Sequence, residues 1–270
     1  MVISTFPRVF SGVKTAQEQV DFLKKCGYSY GDLLIREKFV VNNDSPVADF
    51  NAVYDVYKQA NVGIHCAITD LNAPCNNMEK ILDFCGKKGI LKIKIGQYQY
   101  VGDSYRNLFA KARVDLVGLE ALSKRYGVQI LVQNHGGTIN SSASLTRALV
   151  EGFDPDNVAI YYDAGNMMNI DGHEAWNLGI DISGRYLRHV GIKNIHWFKK
   201  DGKWARDFCR LRDGVIDYLE VLNLLKAAGY KGDYAVHSFY LPDGSVHEQS
   251  TIDSAADDLA YFKELLSQVE

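Results

Sequence analysis

The chain has 270 residues, of which 47% are hydrophobic and 23% are charged, and its formal net charge at pH 7 is -3. This composition is that of a soluble globular protein, and the length suits one α/β barrel. The acidic balance does not support a nucleic-acid or anionic-membrane partner, because either would require a basic face. No apolar stretch approaches the ~20 residues of a membrane helix, and Met1–Phe10 lacks the pattern of a secretory signal. We therefore expect a cytoplasmic protein.

The five cysteines are spread along the chain without a C-x-x-C pair, which is typical of a reduced intracellular protein. Cys26 and Cys85 each precede a glycine at the end of a helix-like stretch, so we expect both to be buried as small apolar side chains. The basic residues between Lys199 and Arg212 are interpreted as a solvated surface loop. A phosphate-bearing small substrate is an alternative explanation for this positive charge.

Short runs rich in apolar, β-branched or aromatic residues alternate with longer stretches of helical periodicity. The predicted strands are Val2–Phe6, Asp32–Arg36, Gly63–Thr69, Leu91–Ile95, Val128–Val132, Val158–Tyr162, Leu187–Lys193 and Tyr234–Ser238. The predicted helices are Ala16–Lys25, Val47–Ala60, Met78–Cys85, Tyr105–Tyr126, Ser142–Val150, His173–Leu178, Tyr218–Ala228 and Ile252–Val269. Thr15 and Glu18 have the spacing of a capping box, and Gly27, Gly127 and Gly229 follow helix ends, where left-handed caps are expected.

Eight strands in alternation with eight helices predict a single (β/α)₈ TIM barrel that occupies residues 1–270 as one domain. The main rival is an open doubly wound sheet, which would normally carry a G-x-G-x-x-G turn after its first strand. No such turn occurs there. In a barrel, the active site lies at the carboxyl ends of the strands, so the residues just after each strand are the candidates for chemistry.

Polar residues follow four of the predicted strands. They are Gln133-Asn134-His135, Asp163-Ala164-Gly165-Asn166, Lys193-Asn194 and His237. Side chains alternate between the two faces of a strand, so Asp163 shares a face with Tyr161, Gln133 with Leu131, and His237 with Ala235. By the same alternation, His189, Gly191 and Lys193 share the inward face of the seventh strand.

The order and spacing of these motifs resemble one known family across essentially the whole chain, most strongly from Val128 to Tyr240. The runs that carry the resemblance are ILVQNHGG at 130–137, YYDAGN at 161–166, HVGIKN at 189–194, RDGVID at 212–217 and YAVH at 234–237. They are similar to the last four βα units of the xylose isomerase-like TIM barrels, also called the sugar phosphate isomerase/epimerase superfamily. The resemblance implies a TIM barrel that acts on sugars.

Members of that family typically hold a divalent ion, often Mn²⁺, Mg²⁺, Co²⁺ or Zn²⁺, between Glu, Asp, His and Glu on strands five to eight. Here Asp163 matches, but Gln133 replaces the first Glu, Gly191 the His, and His237 the last Glu. Asn166 replaces a further His. Lys193 matches the common Lys-Asp pair of the family, while Asn194 replaces its Asp.

These departures predict a remodelled centre, because glutamine supplies neither a carboxylate charge nor a general base. Two alternatives remain: one divalent metal held by Asp163, His237 and Gln133, or a site without metal. The standard proton transfer by two glutamates is not expected. His237 and His135 are the alternative bases, since imidazole titrates near neutral pH. Lys193 is a candidate cation for stabilising an enolate, or a candidate amine nucleophile.

Substrate contacts are expected from Asn166, Asn194 and Lys94 and from the aromatic residues of the upper loops. Lys94 shares the possible catalytic roles of Lys193. The aromatic candidates for stacking on a sugar are Tyr98, Tyr100, Trp197, Phe198, Trp204, Phe239 and Tyr240, with Trp197 and Tyr98 foremost. Arg36 and Glu37 both end the second strand, and which of them faces inward is left open.

The sequence favours a sugar isomerase or epimerase, or a related lyase, that moves a proton on a polyhydroxy-carbonyl substrate. Its rival is a non-catalytic sugar-binding or regulatory barrel, because the two Glu positions and the strand-seven His are lost. An endonuclease is a distant third, since the predicted mouth lacks the carboxylates and histidines of a multi-metal site. A homo-oligomer is an open alternative to a monomer.

Overall fold

The computed structural model describes residues 1–10, 13, 15–37, 39–43, 46–168, 174–238 and 249–269. Eight parallel strands close into one barrel in the order β1-β10-β7-β6-β5-β4-β3-β2, which confirms the predicted (β/α)₈ TIM barrel. The barrel strands are β1 Ile3–Thr5, β2 Tyr30–Ile35, β3 Gly63–Thr69, β4 Lys92–Lys94, β5 Gln129–Gln133, β6 Val158–Asp163, β7 Leu187–Ile192 and β10 Asp233–Val236.

Helices cover the outside of the barrel and follow the strands in turn. Their bounds are α1 Ala16–Cys26, α2 Pro46–Gln59, α3 Asn76–Lys88, α4 Tyr105–Tyr126, α5 Ala143–Val150, α6 Ala164–Met167, α7 Trp176–Ser183, α8 Tyr218–Ala227 and α9 Gln249–Val269. The predicted capping box is present, because Thr15 Oγ1 accepts from the backbone of Glu18 and the Glu18 side chain accepts from the backbone of Thr15. None of the helices in the described residues is long and apolar enough to cross a membrane.

In the described residues, the buried side chains form two apolar clusters that lie on opposite sides of the sheet. The larger cluster includes the apolar faces of the helices, such as Phe22, Leu116 and Phe262. The smaller one fills the barrel axis and consists of Leu34, Cys66, Ile68, Leu131, Ala159, Tyr161 and Ala235. The alternation that placed Leu131, Tyr161 and Ala235 inward is therefore confirmed, and with it the orientation of the strand ends above them.

The largest correction to the predicted elements concerns the segment after β7. An antiparallel hairpin, β8 Asn194–Lys200 and β9 Lys203–Cys209, replaces the expected solvated loop. Seven residue pairs, from Asn194–Cys209 to Lys200–Lys203, hold it together. The basic residues of this hairpin lie among the aromatic residues Trp197, Phe198, Trp204 and Phe208, so a prediction from charge alone missed the two strands.

Smaller corrections concern boundaries and the start of α7. That helix begins at Trp176 and ends at Ser183, later than the predicted 173–178. Residue 173 itself lies outside the described residues, as do the predicted aromatic contacts Phe239 and Tyr240. Helix α3 extends beyond Cys85 to Lys88, where Gly89 provides the left-handed cap, because Gly86 is accommodated within the helix.

A polar cluster occupies the amino-terminal end of the barrel, opposite the predicted mouth. Asp233 accepts from the backbone of Val2 at 2.7 Å, pairs with Lys92, and lies 3.1 Å from His65 Nε2. Burial alone would raise the pKa of Asp233, but its hydrogen bonds to His65 and Lys92 outweigh burial and hold the pKa well below its usual range. This cluster joins β1, β3, β4 and β10, so it stabilises the closure of the barrel.

We expect the substitution Asp233→Asn to lower the free energy of unfolding at pH 7 by on the order of 3 kcal/mol, because Lys92 would lose its counter-charge. A depressed carboxyl pKa stabilises the fold above the unfolded pKa of about 3.9, and this stabilisation is lost as the pH falls through the folded value. The difference between the two proteins should therefore shrink below about pH 4. Urea unfolding at pH 7 and at pH 3 measures both effects.

The matched control is Asp156→Asn, which removes an exposed ion pair with Arg188 at 3.4 Å. Surface pairs of this kind contribute about 0–1 kcal/mol. Equal losses of stability in the two variants would contradict a special role for Asp233.

Candidate active site

Four strand ends bring their polar residues to one mouth of the barrel, as the sequence predicts. Gln133 ends β5, Asp163 ends β6, Lys193 follows β7 and His237 follows β10, and all four side chains are buried. A cavity of about 330 Å³ opens at this mouth. Its lining residues are Phe6, Arg8, Leu34, Arg36, Phe39, Ile68, Lys94, Gln97, Gln133, His135, Lys193 and His237.

Two larger cavities, of about 510 and 480 Å³, lie against the amino-terminal ends of the strands. None of the residues predicted from the sequence as catalytic or substrate-binding lines either of them. We place the candidate active site in the smaller cavity, because the titratable strand-end residues converge there and barrel enzymes use that face.

A buried ion pair between Asp163 and Lys193 forms the centre of the site. Lys193 Nζ lies 3.1 Å from Asp163 Oδ2, and the two side chains are 5% and 0% exposed. Gln133 Nε2 donates to the same oxygen at 2.8 Å, and the backbone nitrogen of Asn166 donates to Oδ1 at 2.8 Å. Both carboxylate oxygens are therefore engaged, and a lysine cation lies directly beside them.

Two asparagines hold this ion pair in place from behind. Asn134 joins β5 to β6: its Nδ2 donates to the Asp163 carbonyl at 2.9 Å, and its Oδ1 accepts from the Asp163 nitrogen at 2.8 Å. Asn166 donates to the Asn134 carbonyl at 2.8 Å and accepts from Lys193 Nζ at 2.6 Å. Asn166, a predicted substrate contact, is thus placed outside the cavity lining, where it positions Lys193.

Two glycines leave the space that this arrangement requires. A Cβ atom at Gly165 would lie 2.5 Å from Lys193 Cγ, so only glycine lets that side chain pass. At Gly191, a Cβ atom would lie 2.9 Å from the Tyr161 ring and 3.1 Å from Asp163 Oδ2. Tyr161 and the ion pair therefore occupy the neighbourhood in which a histidine ligand would have to fit.

The donor set does not fit a divalent ion in this arrangement. Asp163 Oδ2 already faces an ammonium group and the amide hydrogens of Gln133, and both repel a cation. His237 Nε2 lies 2.8 Å from the hydroxyl of Tyr161, and Gly191 supplies no ligand. A metal held by Asp163, His237 and Gln133 stays a prediction from the sequence that this geometry does not favour.

His237 is held as a neutral ring on the floor of the cavity. Its ring stacks on Phe6 with 4.0 Å between centroids, and its backbone nitrogen donates to the Ile192 carbonyl at 2.8 Å. Burial lowers the pKa of His237 well below its usual value, and Lys193 adds to this shift. The stacking and the contact with Tyr161 restrict the ring, so His237 suits positioning of a ligand better than proton shuttling.

His135 is the better-placed proton acceptor. It lines the cavity and is half-buried, and its Nδ1 lies 2.8 Å from the carbonyl oxygen of Gly136. Because a carbonyl can only accept, Nδ1 carries the proton and Nε2 of the neutral ring is an acceptor. Burial lowers the pKa of His135 and outweighs the opposing effect of the Gly136 carbonyl, so the site favours the neutral ring.

Two lysines line the same cavity in different environments. Each is 4% exposed. Burial lowers the pKa of Lys193, but its ion pair with Asp163 opposes the shift. Burial lowers the pKa of Lys94 to about 8, with Arg36 as the next cause. Lys193 is therefore the fixed cation of the site, whereas a substantial fraction of Lys94 is neutral near pH 8.

Other predicted substrate contacts lie away from the cavity lining. Asn194 donates to the carbonyls of Leu211 and Ile216 at 2.8 and 3.0 Å and so fixes the hairpin. Tyr98 is buried, and its hydroxyl donates to the Asn72 carbonyl at 2.7 Å. Trp197 is half-buried on β8. The exposed rings of Tyr100 and Trp204 likewise do not line the cavity.

Sequence reasoning missed residues from the first two βα loops. Arg8 lies in a 3₁₀ helix that follows β1, and Phe6 and Phe39 supply the apolar walls. Arg36, which the sequence left open against Glu37, lines the cavity and lies 3.6 Å from Asp70. The available signal was topological: the segment after every strand of a barrel opens on the same mouth.

A separate group with metal-ligand geometry lies at the opposite end of the barrel. The ligand atoms of His65, His189 and Asp233 lie within 4.8 Å of one another. Two imidazoles and a carboxylate suit a divalent transition metal. Lys92 already pairs with Asp233, however, so an ion there would have to displace an ammonium group.

Comparison with known proteins agrees with this barrel. A family model described as xylose isomerase-like TIM barrel matches residues 20–265. In a sequence search, no curated protein matches the chain significantly.

Solved structures give the same fold at low identity. The IOLI protein with a bound zinc atom aligns with a TM-score of 0.77 and 12% identity over 100% of this chain and 99% of that one. D-psicose 3-epimerase in the presence of D-fructose aligns with a TM-score of 0.74 and 13% identity over 98% of this chain and 99% of that one. A xylose isomerase-like TIM barrel protein from Mycobacterium smegmatis in complex with magnesium aligns with a TM-score of 0.73 and 14% identity over 94% of this chain and 89% of that one. These neighbours are epimerases or metal-bound barrels, and the chain belongs to the xylose isomerase-like TIM barrel family.

Proposed function

We propose that this protein is an isomerase or epimerase that moves a proton on a polyhydroxy-carbonyl compound without a metal at its catalytic centre. The observation that supports this most directly is the buried Asp163–Lys193 ion pair beneath a cavity lined by His135, His237 and Lys94. Structural neighbours that are named sugar epimerases, such as L-ribulose 3-epimerase, support the substrate class.

A fixed cation and a neutral base are the two groups that such a reaction needs. Removing a proton from the carbon next to a carbonyl leaves negative charge on oxygen, which a preorganised cation stabilises. Lys193 supplies that charge, because Asp163 and Asn166 fix its ammonium group. His135 Nε2 accepts the proton and returns it to the neighbouring carbon or to the opposite face of the same carbon.

The charge of the cavity supports a substrate with an anionic group. Arg8, Arg36, Lys94 and Lys193 all line it, and among the described residues no carboxylate does. Arg8 and Arg36 lie at the rim, since they are the more exposed, whereas both lysines lie on the floor. A sugar acid or sugar phosphate would therefore place its anion at the rim and its carbonyl group near the lysines, with Phe6 and Phe39 against its apolar faces.

The first test is exchange of carbon-bound hydrogen in D₂O, followed by NMR, with D-fructose, D-fructose 6-phosphate and D-fructuronate as probes. We expect exchange next to the carbonyl of at least one probe. The substitution His135→Ala should slow it by about 10²- to 10⁴-fold, because the general base is lost. His196→Ala is the matched control, since this histidine is exposed on the hairpin, and it should exchange at the wild-type rate.

Calorimetry on the same probes separates catalysis from binding alone. A probe that binds wild-type protein but never exchanges would contradict the enzyme and support the alternative, a non-catalytic sugar-binding barrel. Equal exchange rates in wild type and His135→Ala would contradict the assignment of the base.

The second test is elemental analysis of protein that has been purified without a chelator. We expect the divalent metal content to be the same in wild type and in Asp163→Asn, because Lys193 takes the place of a metal cation beside Asp163. Exchange activity should also survive treatment with EDTA.

The same metal analysis is made on His65→Ala, which alters the group of His65, His189 and Asp233 at the opposite end of the barrel. Metal that is lost from His65→Ala alone would be assigned to the opposite end of the barrel. A near-stoichiometric metal that disappears in Asp163→Asn would contradict the metal-free centre.

A further inference from the structure

Lys94 is a buried amine on the floor of the cavity that has no partner among the described residues. It ends β4, and its side chain lines the cavity although only 4% of the residue is exposed. Lys94 Nζ makes no hydrogen bond or ion pair with any residue in the described part of the chain. The other lysine of the cavity, Lys193, has both an ion pair and a hydrogen bond.

An unpaired ammonium at this depth is unfavourable, and burial therefore favours the neutral amine. The groups that act on it are Arg36, Lys193, Asp163 and Cys66. The two other cations repel a charge on Lys94, and Asp163 is already paired with Lys193. This is the environment in which a lysine becomes a nucleophile, since only the neutral amine has a free electron pair.

We propose that the Lys94 amine forms a Schiff base with the carbonyl carbon of the substrate. This inference rests on the proposed function, because it requires a substrate with an aldehyde or ketone group. It goes beyond that function in making the catalysis covalent and in assigning separate roles to the two lysines of one cavity.

The steps balance without an oxidant or a reductant. The Nζ electron pair adds to the carbonyl carbon, the carbon–oxygen π pair moves to oxygen, and proton transfer from nitrogen to oxygen gives a carbinolamine. Its hydroxyl group takes a proton from solvent and leaves as water, so that a positively charged iminium remains. The proton on the adjacent carbon passes to His135 Nε2, and its electron pair moves to the iminium to give an enamine. Reprotonation of the same carbon from the opposite face regenerates the iminium, and addition of one water then releases the epimerised product, the free amine and a proton.

The fixed position of Lys94 supports this role. Its strand pairs with both neighbours, because Ile68 of β3 is in register with Lys94, and Leu131 of β5 is in register on the other side. Just beyond it, a Cβ atom at Gly96 would lie 1.9 Å from the Asp70 carbonyl oxygen, so the chain leaves the strand in a tightly confined path. The amine is thus presented from a rigid strand end into the cavity that the proposed base, His135, also lines.

Reductive trapping tests the proposal on the full-length protein. Wild-type protein is mixed with dihydroxyacetone, dihydroxyacetone phosphate or hydroxypyruvate, reduced with sodium borohydride, and analysed by intact mass and peptide mapping. We expect one reduced adduct per chain, located on Lys94. The variants Lys94→Arg and Lys94→Met should lower adduct formation at least tenfold, to the level of protein reduced without probe.

Two controls make the result specific. Lys200→Arg removes an exposed lysine of the hairpin and should trap like wild type. Lys94→Met is unbranched, uncharged and only one heavy atom shorter than lysine, so we expect it to fold even if the arginine of the other variant is too large. Circular dichroism and urea unfolding confirm this for each variant.

Each outcome decides between the two proposals. The Schiff base is overturned if none of the probes gives an adduct on Lys94. It is also overturned if the adducts are spread equally over surface lysines. If hydrogen exchange in D₂O persists in that case, the proposed isomerase stands without it. An adduct on Lys94 in protein that exchanges no hydrogen with the same probes would retain the covalent step and overturn the isomerase.

Discussion

The buried ion pair between Asp163 and Lys193 is the interaction on which the candidate site depends. A carboxylate with no exposed surface is strongly unfavourable unless a charge and hydrogen bonds compensate it. Lys193 supplies the charge, while Gln133 and the backbone of Asn166 supply the hydrogen bonds. Because the cation is part of the chain, folding alone places it. A positive charge at the mouth of the barrel is therefore present without any ion from solution.

This constraint makes the departures from the family pattern consistent with one another. Once Lys193 neutralises Asp163, a second carboxylate at position 133 would leave an uncompensated negative charge in a buried site, whereas glutamine donates to the same oxygen. A histidine at position 191 would collide with Tyr161 and approach the paired carboxylate. Asparagine at 166 accepts from Lys193, which a protonated histidine cannot do. The three replacements thus build one alternative arrangement.

The sequence predicted what short-range rules determine. Alternation along β5, β6 and β10 put Leu131, Tyr161 and Ala235 in the axis, and the residues above them at the mouth. It did not predict the partners of those polar groups, because Lys193 contacts Asp163 only through the closure of the sheet between β6 and β7. The hairpin after β7 was missed for a related reason: its basic and aromatic residues form a two-stranded sheet outside the barrel, where a strand need not have a continuous apolar face.

The two lysines of the cavity show that environment, rather than residue type, decides chemical role. Both side chains are buried to the same extent, and burial acts on both in the same direction. The difference is the acid partner: Lys193 has one, whereas Lys94 has none in the part of the chain that the structure describes. When their environments push the pKa values of two similar residues apart, an active site can use the two residues for different tasks. Since Asp163 can neutralise only one ammonium group, fixing Lys193 as a cation leaves Lys94 without compensation from that carboxylate, and the same ion pair therefore favours the neutral form of the second lysine.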